Sequence, residues 1–534
     1  MGPLTKNIPS QDEGFSWARN SLLTLLVAAF LLPVAQSIFQ IFSEESSLDS
    51  LSADFFLLVL RSLIWGTLMA LLSAGLSIAA ALPSAIFLGF SQNLGPKLQK
   101  TLRMIGLMVF SLPSSALALA FLSITPATFP LFAQRGIFPI LVAHVFWNHL
   151  ILVSIFQSKI KLWLGNSGSP QIDSARCLGA SRSSLLKKII LPVLAPDISF
   201  FFSAIFLWSL SSFGTVLILG GGPGSGSLET LNFYHLFASF DPARLAVLLP
   251  ITMVFNLAAF LFFQKYLTKF STPSALANEH DEKNIAENAT KNPFASFFPA
   301  TLIPLASAFL FFVIVFNSLR GTAELISTGI NSVLWAAIGN STLVGLFSSL
   351  CIFAFSFLSC LSPSSLHRKV LWAIGISPAL LSVAWGPWMR LNLSGYPHPL
   401  RLLMIGLLIG LSLWPLADFW IARRKTQIPD SLIASAGCLG ASLSQRIFRI
   451  RQPYLKDALI VSGLFAFLCG FSDLLFSPLL LGDASTLALL AQEKAARYQT
   501  TYSHFFLLTL WLLLAAAFLL RNFYEKFRRV HASS

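Results

Sequence analysis

Ile172 to Pro192 reads IDSARCLGASRSSLLKKIILP, and Ile433 to Pro453 reads IASAGCLGASLSQRIFRIRQP. The two stretches are identical at 11 of 21 positions, without a gap, at a constant offset of 261 residues. Shared composition does not hold Cys, Leu, Gly, Ala and Ser in register over such a distance, so one element occurs twice and the chain is a duplication or fusion. Each copy divides at a glycine. Ser169 and Pro170 suit a helix start, an N-cap followed by proline at the first helical position. A short helix is predicted from there through Asp173, Ala175 and Arg176 to Gly179, where a left-handed or open backbone costs little. Ser181 then caps a second short helix predicted to end before Pro192. The small residues Ala175, Gly179 and Ala180, repeated as Ala436, Gly440 and Ala441, leave backbone open to close approach. A helix–glycine–helix knob offered twice is a docking device for a two-fold partner. The plainer reading, an interfacial helix pair held down by Arg182, Lys187 and Lys188 or by Arg446, Arg449 and Arg451, does not explain why both copies keep small residues at one spacing.

Around these loops the chain is apolar. Of its 534 residues 55% are hydrophobic and 11% charged, against about 25% charged in a soluble domain, and mean hydropathy is +0.73. That leaves too little polar surface for a water-soluble particle and excludes soluble enzymes, secreted disulfide scaffolds and disordered chains. Twelve apolar stretches of roughly 20 residues follow. In the first half they lie near 21–42, 57–82, 104–124, 138–156, 198–219 and 245–263. In the second half they lie near 297–316, 338–361, 371–388, 402–422, 459–481 and 505–520. Backbone groups in hydrocarbon must be satisfied internally, so these are helices, and the fold class is all-α and polytopic. Lys6 and Arg19 before the first stretch imitate a signal peptide, but 22 residues are long for a signal core and long enough to span.

Charge orients the chain. With the N-terminus inside, cytoplasmic segments hold 28 of the 36 Lys and Arg and the outer ends hold eight, among them Arg135, Arg244, Arg320 and Lys494. Reversing the topology inverts that ratio, so both termini are expected in the cytoplasm. The net charge of +14 is thereby explained without nucleic acid. The polar stretch 264–296 separates a first half, 1–263 with its loop at 170–192, from a second, 297–534 with its loop at 429–453. Six spans per half make the repeats parallel and put both loops on one side. The five cysteines form no CxxC pair and lie near no His cluster, so neither a disulfide framework, a metal site nor a cofactor follows.

The loops resemble the EAA signature of permease subunits in binding-protein-dependent ABC importers: Glu-Ala-Ala, three residues, Gly, nine residues, Ile, one residue, Leu-Pro. The first copy matches at Asp173-Ser174-Ala175, Gly179, Ile189 and Leu191-Pro192. The second matches at Ala434-Ser435-Ala436, Gly440, Ile450 and Gln452-Pro453, and neither copy has the leading Glu. The resemblance implies the type I importer permease fold in a bacterial inner membrane. It also implies loops that couple to a dimer of ATPase subunits, a periplasmic substrate-binding protein, and a small solute moved across lipid. The chain has no GxxxxGK[ST] phosphate loop, so hydrolysis falls to the separate ATPase and the chain itself is not an enzyme. Two such loops in one chain are further similar to the fused permeases of the thiamine and ferric-iron branch. Ala143-His144-Val145-Phe146-Trp147-Asn148, Leu219-Gly220-Gly221-Gly222-Pro223 and Asp241-Pro242-Ala243-Arg244 bring the likeness nearest the thiamine side, with thiamine or a phosphorylated form as expected solute and ferric iron as the alternative.

Polar residues inside the spans are the remaining candidates. His144 and Asn148 share a helix face, and at offset 261 stand Ile405 and Ile409. They line a translocation path or, more simply, join two helices. Asp473 is a further path candidate, whereas Asp418 reads as an end-of-helix partner of Arg423 and Arg424. Leu112-Pro113 and Ser377-Pro378 are expected kinks. Gly220 to Gly226, followed by Glu229, is expected as a flexible outer stretch that either contacts a substrate-bound binding protein or is only a pliable loop. An ion-coupled secondary transporter is the competing class; it needs essential midplane acids and gives the twin loops no task. A membrane enzyme ranks below it, since no HExxH, carboxylate pair or nucleophile motif stands out.

Overall fold

The computed structural model describes residues 51–91, 96–122, 135–164, 169–221, 226–239, 241–267, 299, 301–329, 331–361, 395–425, 428, 430–442, 445–480, 485–497 and 499–532. Every regular element among them is a helix. In the first half these are α1 (Ala53–Phe90), α2 (Pro96–Ser111), α3 (Ser114–Leu122), α4 (Ile137–Trp163), α5 (Ser169–Cys177), α6 (Arg182–Leu210), α7 (Phe213–Leu219), α8 (Leu228–Phe233) and α9 (Pro242–Leu267). In the second they are α10 (Leu302–Thr328), α11 (Ser332–Leu361), α12 (His398–Lys425), α13 (Asp430–Cys438), α14 (Gln452–Phe471), α15 (Leu487–Ala496) and α16 (Thr501–Ala532). Among the described residues seven helices are long and apolar enough to cross a membrane, or eight if the bent pair α2 and α3 is one span. Each predicted span except 21–42 and 371–388, which with Ser377-Pro378 lie outside the described residues, overlaps a described helix, and 104–124, 198–219 and 459–481 are each broken within their length.

The duplication extends from sequence to structure. α5 and α13 begin and end 261 residues apart, as do Leu191–Leu210 and α14, and α4 and α12 begin at that offset. The register shifts nearer the start of each half, where α1 begins at Ala53 and α11 at Ser332, and by two residues toward its end, where α8 and α9 begin at Leu228 and Pro242 and α15 and α16 at Leu487 and Thr501. Packing repeats as well: α1 lies against α4 and α6, and α11 against α12 and α14. Without a hydrophobic drive between helices in lipid, close approach depends on small residues. A Cβ on Gly345 would stand 2.8 Å from the Phe467 carbonyl oxygen, and one on Gly463 would stand 2.6 Å from the Phe353 ring. Residue numbers rise on α11 as they fall on α14, so the two run antiparallel, and the start of α11 lies at the end of the second half opposite its elbow.

The apolar surface divides by neighbour. Leu57, Leu60, Ile64, Leu68 and Leu71 form an exposed stripe at helical spacing on α1, the face for lipid. Inside, Leu117, Phe121 and Phe146 of the first half join Phe311, Phe471, Phe506 and Trp511 of the second in one buried cluster. A second cluster gathers Phe87, Phe90 and Ile160 with Ile172 and Leu185, and so seats the first elbow on the ends of α1 and α4.

Candidate functional site

Each loop folds as an elbow for a local reason. Gly179 has φ +78° and Gly440 φ +76°, the left-handed region where glycine avoids a Cβ penalty. The Ala180 N–H donates to the Ala175 carbonyl at 2.9 Å and the Gly179 N–H to the Arg176 carbonyl at 2.9 Å, a Schellman ending. In the second copy the Ala441 N–H donates to the Ala436 carbonyl at the same 2.9 Å. Ser181 accepts from the Ser184 N–H at 3.2 Å. Ser442 and Gln445 form a reciprocal capping box, with bonds of 3.3 and 2.9 Å.

The second helix does not end before Pro192. A π-helical turn at Leu186–Ile190 carries it into the span, and Arg446–Arg451 does the same before Pro453. Proline clashes with the carbonyl four residues back; the wider turn lets the Leu191 N–H reach the Leu186 carbonyl and the helix continue. Each elbow is thus continuous with a spanning helix.

The elbow residues divide into two sets. Asp173, Ala175, Ala180, Ala436 and Ala441 are half-buried, and Ala175 and Ala180 pack on the first half's own core. At the tip, Leu178 is 88% exposed and Leu439 87%. The side chain offered outward is a leucine in both copies, beside an exposed free cysteine, Cys177 or Cys438. Sequence reading passed over these leucines, although both stand at the same place in the quoted repeat.

Deeper in the molecule three helix breaks meet. α2 and α3 are bent by 101° at Leu112-Pro113, the expected kink. The predicted span 198–219 breaks after Leu210, and 459–481 breaks after Phe471. Ser115 donates to the Ser472 carbonyl at 3.2 Å across the two halves, and Thr215 donates to the Ser114 carbonyl at 3.3 Å. Irregular backbone at membrane depth is tolerated where protein buries it, and Ser115, Ser212, Thr215, Ser472 and Asp473 are all buried.

His144 is a strut at this seam: Nδ1 lies 2.8 Å from Ser73 Oγ on α1 and Nε2 lies 3.1 Å from Ser212 Oγ. Asn148 turns back on its own helix, donating to the His144 carbonyl at 2.8 Å. Asp473, at offset 261 from Ser212, accepts from the N–H groups of Leu475, Phe476 and Ser477 and from the Ser477 hydroxyl. Asp418 is buried; the side chains of Arg423 and Arg424 lie outside the described ones. Glu229 is not in a pliable loop but buried, accepting from Asn256 at 3.0 Å. Asp197, a carboxylate sequence reading missed, is fully buried 3.6 Å from Lys159 and ties α6 to α4. Among the described residues no group of three or more His, Cys, Asp or Glu is arranged to hold a metal ion.

Residues 81–270, which contain the first elbow and the first-half side of the seam, match the family model described as the binding-protein-dependent transport system inner membrane component. Over that stretch, about a third of its length, the chain is similar to this family. The chain is also 27% identical over 240 residues to the thiamine transport system permease protein of Haemophilus influenzae, covering 44% of this chain and 42% of the relative. The protein of that name from Brucella abortus matches at 27% over 241 residues, 44% and 41% of the two chains. The one from Salmonella typhimurium matches at 34% over 142 residues, 27% and 26%. The matched part thus spans less than half the length of these curated relatives. No solved structure matches the chain.

Proposed function

We propose that the chain is the membrane permease of an ATP-driven importer, with both halves acting as permease units and both elbows gripped by a separate ATPase dimer. The observation that carries this reading is the second elbow: outside the family match, it repeats the left-handed glycine, the Ala441-to-Ala436 bond, the π-helical turn and the exposed leucine of the first. A parallel duplication with cytoplasmic termini delivers the two to the same face. ATP binding draws the knobs together; each pulls the span continuous with it, and the halves rock about the seam so that the path opens outward to a solute-loaded periplasmic protein. Hydrolysis returns it inward. His144, Asn148 and Asp473 stand at or beside the seam, the place a path between the halves would use.

The solute is thiamine or a phosphorylated form. The names of the relatives support this, as do the quoted motifs; ferric iron is the alternative from the same branch. Leu178→Asp with Leu439→Asp tests the coupling, because both side chains already stand in solvent and the folded permease tolerates the change. The ATPase is expected to stop co-purifying and uptake of labelled thiamine to stop with it. Full retention of both in the double variant overturns the docking role, and wild-type vesicles that import ferric iron but not thiamine overturn the solute.

A further inference from the structure

The end of the second half opposite its elbow carries a cavity of ≈ 190 Å³ whose lining includes Asn331, Glu493, Lys494, Arg497 and Tyr502. The turn between α10 and α11, the end of α15 and the start of α16 enclose it. In the proposed topology this is the outer face. All of the lining residues belong to the second half, and Leu490 among them is part of the buried cluster that both halves share.

Its charge is out of keeping with its side of the membrane. Outer ends hold eight of the 36 Lys and Arg, and two of those eight line this cavity. Lys494 Nζ stands 5.4 Å from the centre of the Tyr502 ring, and Arg497 is exposed. Among the described residues neither base has an ion-pair partner. With Glu493 the cavity holds two cations and one anion, a net charge of one positive that suits a single carboxylate. The first half carries no such pair of cations at the matching place. Helix starts there are offset by 259 residues, and the positions that many residues earlier are His235, which is buried, and Ala238, while one of its outer bases, Arg244, is bound to Asp241 at 3.2 Å and lies over Phe55.

We propose that this cavity seats an acidic side chain of the solute-loaded binding protein, with Lys494 and Arg497 pairing its carboxylate and Tyr502 and the exposed Val333 covering its stem. The inference rests on the importer reading above and adds the partner's chemistry and its place. A single-chain partner has no two-fold symmetry to match the paired elbows, and an asymmetric outer face fixes how it sits on the two halves. Exposed charges act chiefly on association rate and its salt dependence.

The test uses the permease–ATPase complex in nanodiscs and the purified binding protein loaded with thiamine, with stimulated ATP hydrolysis as readout. Lys494→Glu with Arg497→Glu is expected to raise the half-saturating binding-protein concentration by about tenfold or more, roughly 1.4 kcal/mol. Basal hydrolysis is expected to stay the same and the salt dependence to flatten. An acidic-to-Lys change on the binding protein that restores affinity only to this variant would fix the contact. Unchanged affinity and salt dependence overturn the proposal, as does a variant whose defect follows the anionic-lipid content of the nanodisc instead of the binding-protein concentration. A wild-type complex that no loaded binding protein stimulates overturns the importer reading itself, a different outcome.

Discussion

Gly179 and Gly440 have positive φ, and a Cβ at either would meet nothing within 4 Å. Substitution there therefore costs backbone strain and not a clash, about 1–2 kcal/mol for a residue with a Cβ. Asn tolerates this region better than Ala, and a β-branched residue tolerates it least. ATPase retention in pull-downs is expected to fall in the order Gly, Asn, Ala, Val at each site; equal retention across the series would show that elbow geometry is not what the partner reads. His144 and Asp473 separate by arithmetic. His144→Leu breaks two side-chain bonds worth about 0.6 kcal/mol each between membrane helices, so melting should barely move, and lost uptake at unchanged Tm would mark a path residue. Asp473→Ala strips an acceptor from four donors and is expected to cost roughly 2–4 kcal/mol, read as a clear fall in Tm, with Asp473→Asn about half as severe. The residue-scale sequence was legible where chemistry is local, as at Gly179, Ser181 and Pro113. It was not legible for His144, whose partners Ser73 and Ser212 lie 71 and 68 residues away, and no periodicity names them. At offset 261 the halves solve one problem differently: the first bonds Ser212 to a histidine from α4, while the second has Ile405 there and a carboxylate at the break that caps its own turn.

Helix existence was readable from apolar runs, because a bilayer demands about 20 such residues. Helix ends were not. The span expected from residue 198 begins within α6 at Arg182, since Pro192 looked like a helix end and a π-helical turn before proline leaves no mark in hydropathy. The Lys159–Asp197 pair was hidden for the same reason, and it braces the first elbow's helix against α4 at a point where the second half has Trp420 and Ala458. Removing one member of a buried pair costs about 3–5 kcal/mol; Lys159 is 18% exposed, so the lower end applies. Lys159→Met is expected to lower uptake while the ATPase still co-purifies, because the knob remains but its span is no longer tied to α4. The exchange Lys159→Asp with Asp197→Lys should recover part of that uptake. A double-mutant cycle with zero coupling energy would remove the brace from the account.

The whole molecule is two copies of one plan that cannot close separately. Its largest apolar cluster draws Phe121 and Phe146 from one half and Phe471 and Trp511 from the other, and the Ser115–Ser472 bond crosses the same boundary. That interdependence was beyond sequence reading, which supplied the repeat but gave no sign of which helices meet between its copies. The described contacts between the halves come from elements on either side of 268–298, so the covalent connection itself is dispensable to them. Cutting the chain between Asp281 and Glu282 and co-expressing the pieces is therefore expected to restore co-purification of the two halves and most of the uptake. Either piece alone, with half a core exposed, should be degraded or aggregate. A second half that is stable and monodisperse by itself would show that the shared cluster is a late docking surface and not part of the core, and rocking at the seam would then have to be replaced by separation of two finished domains.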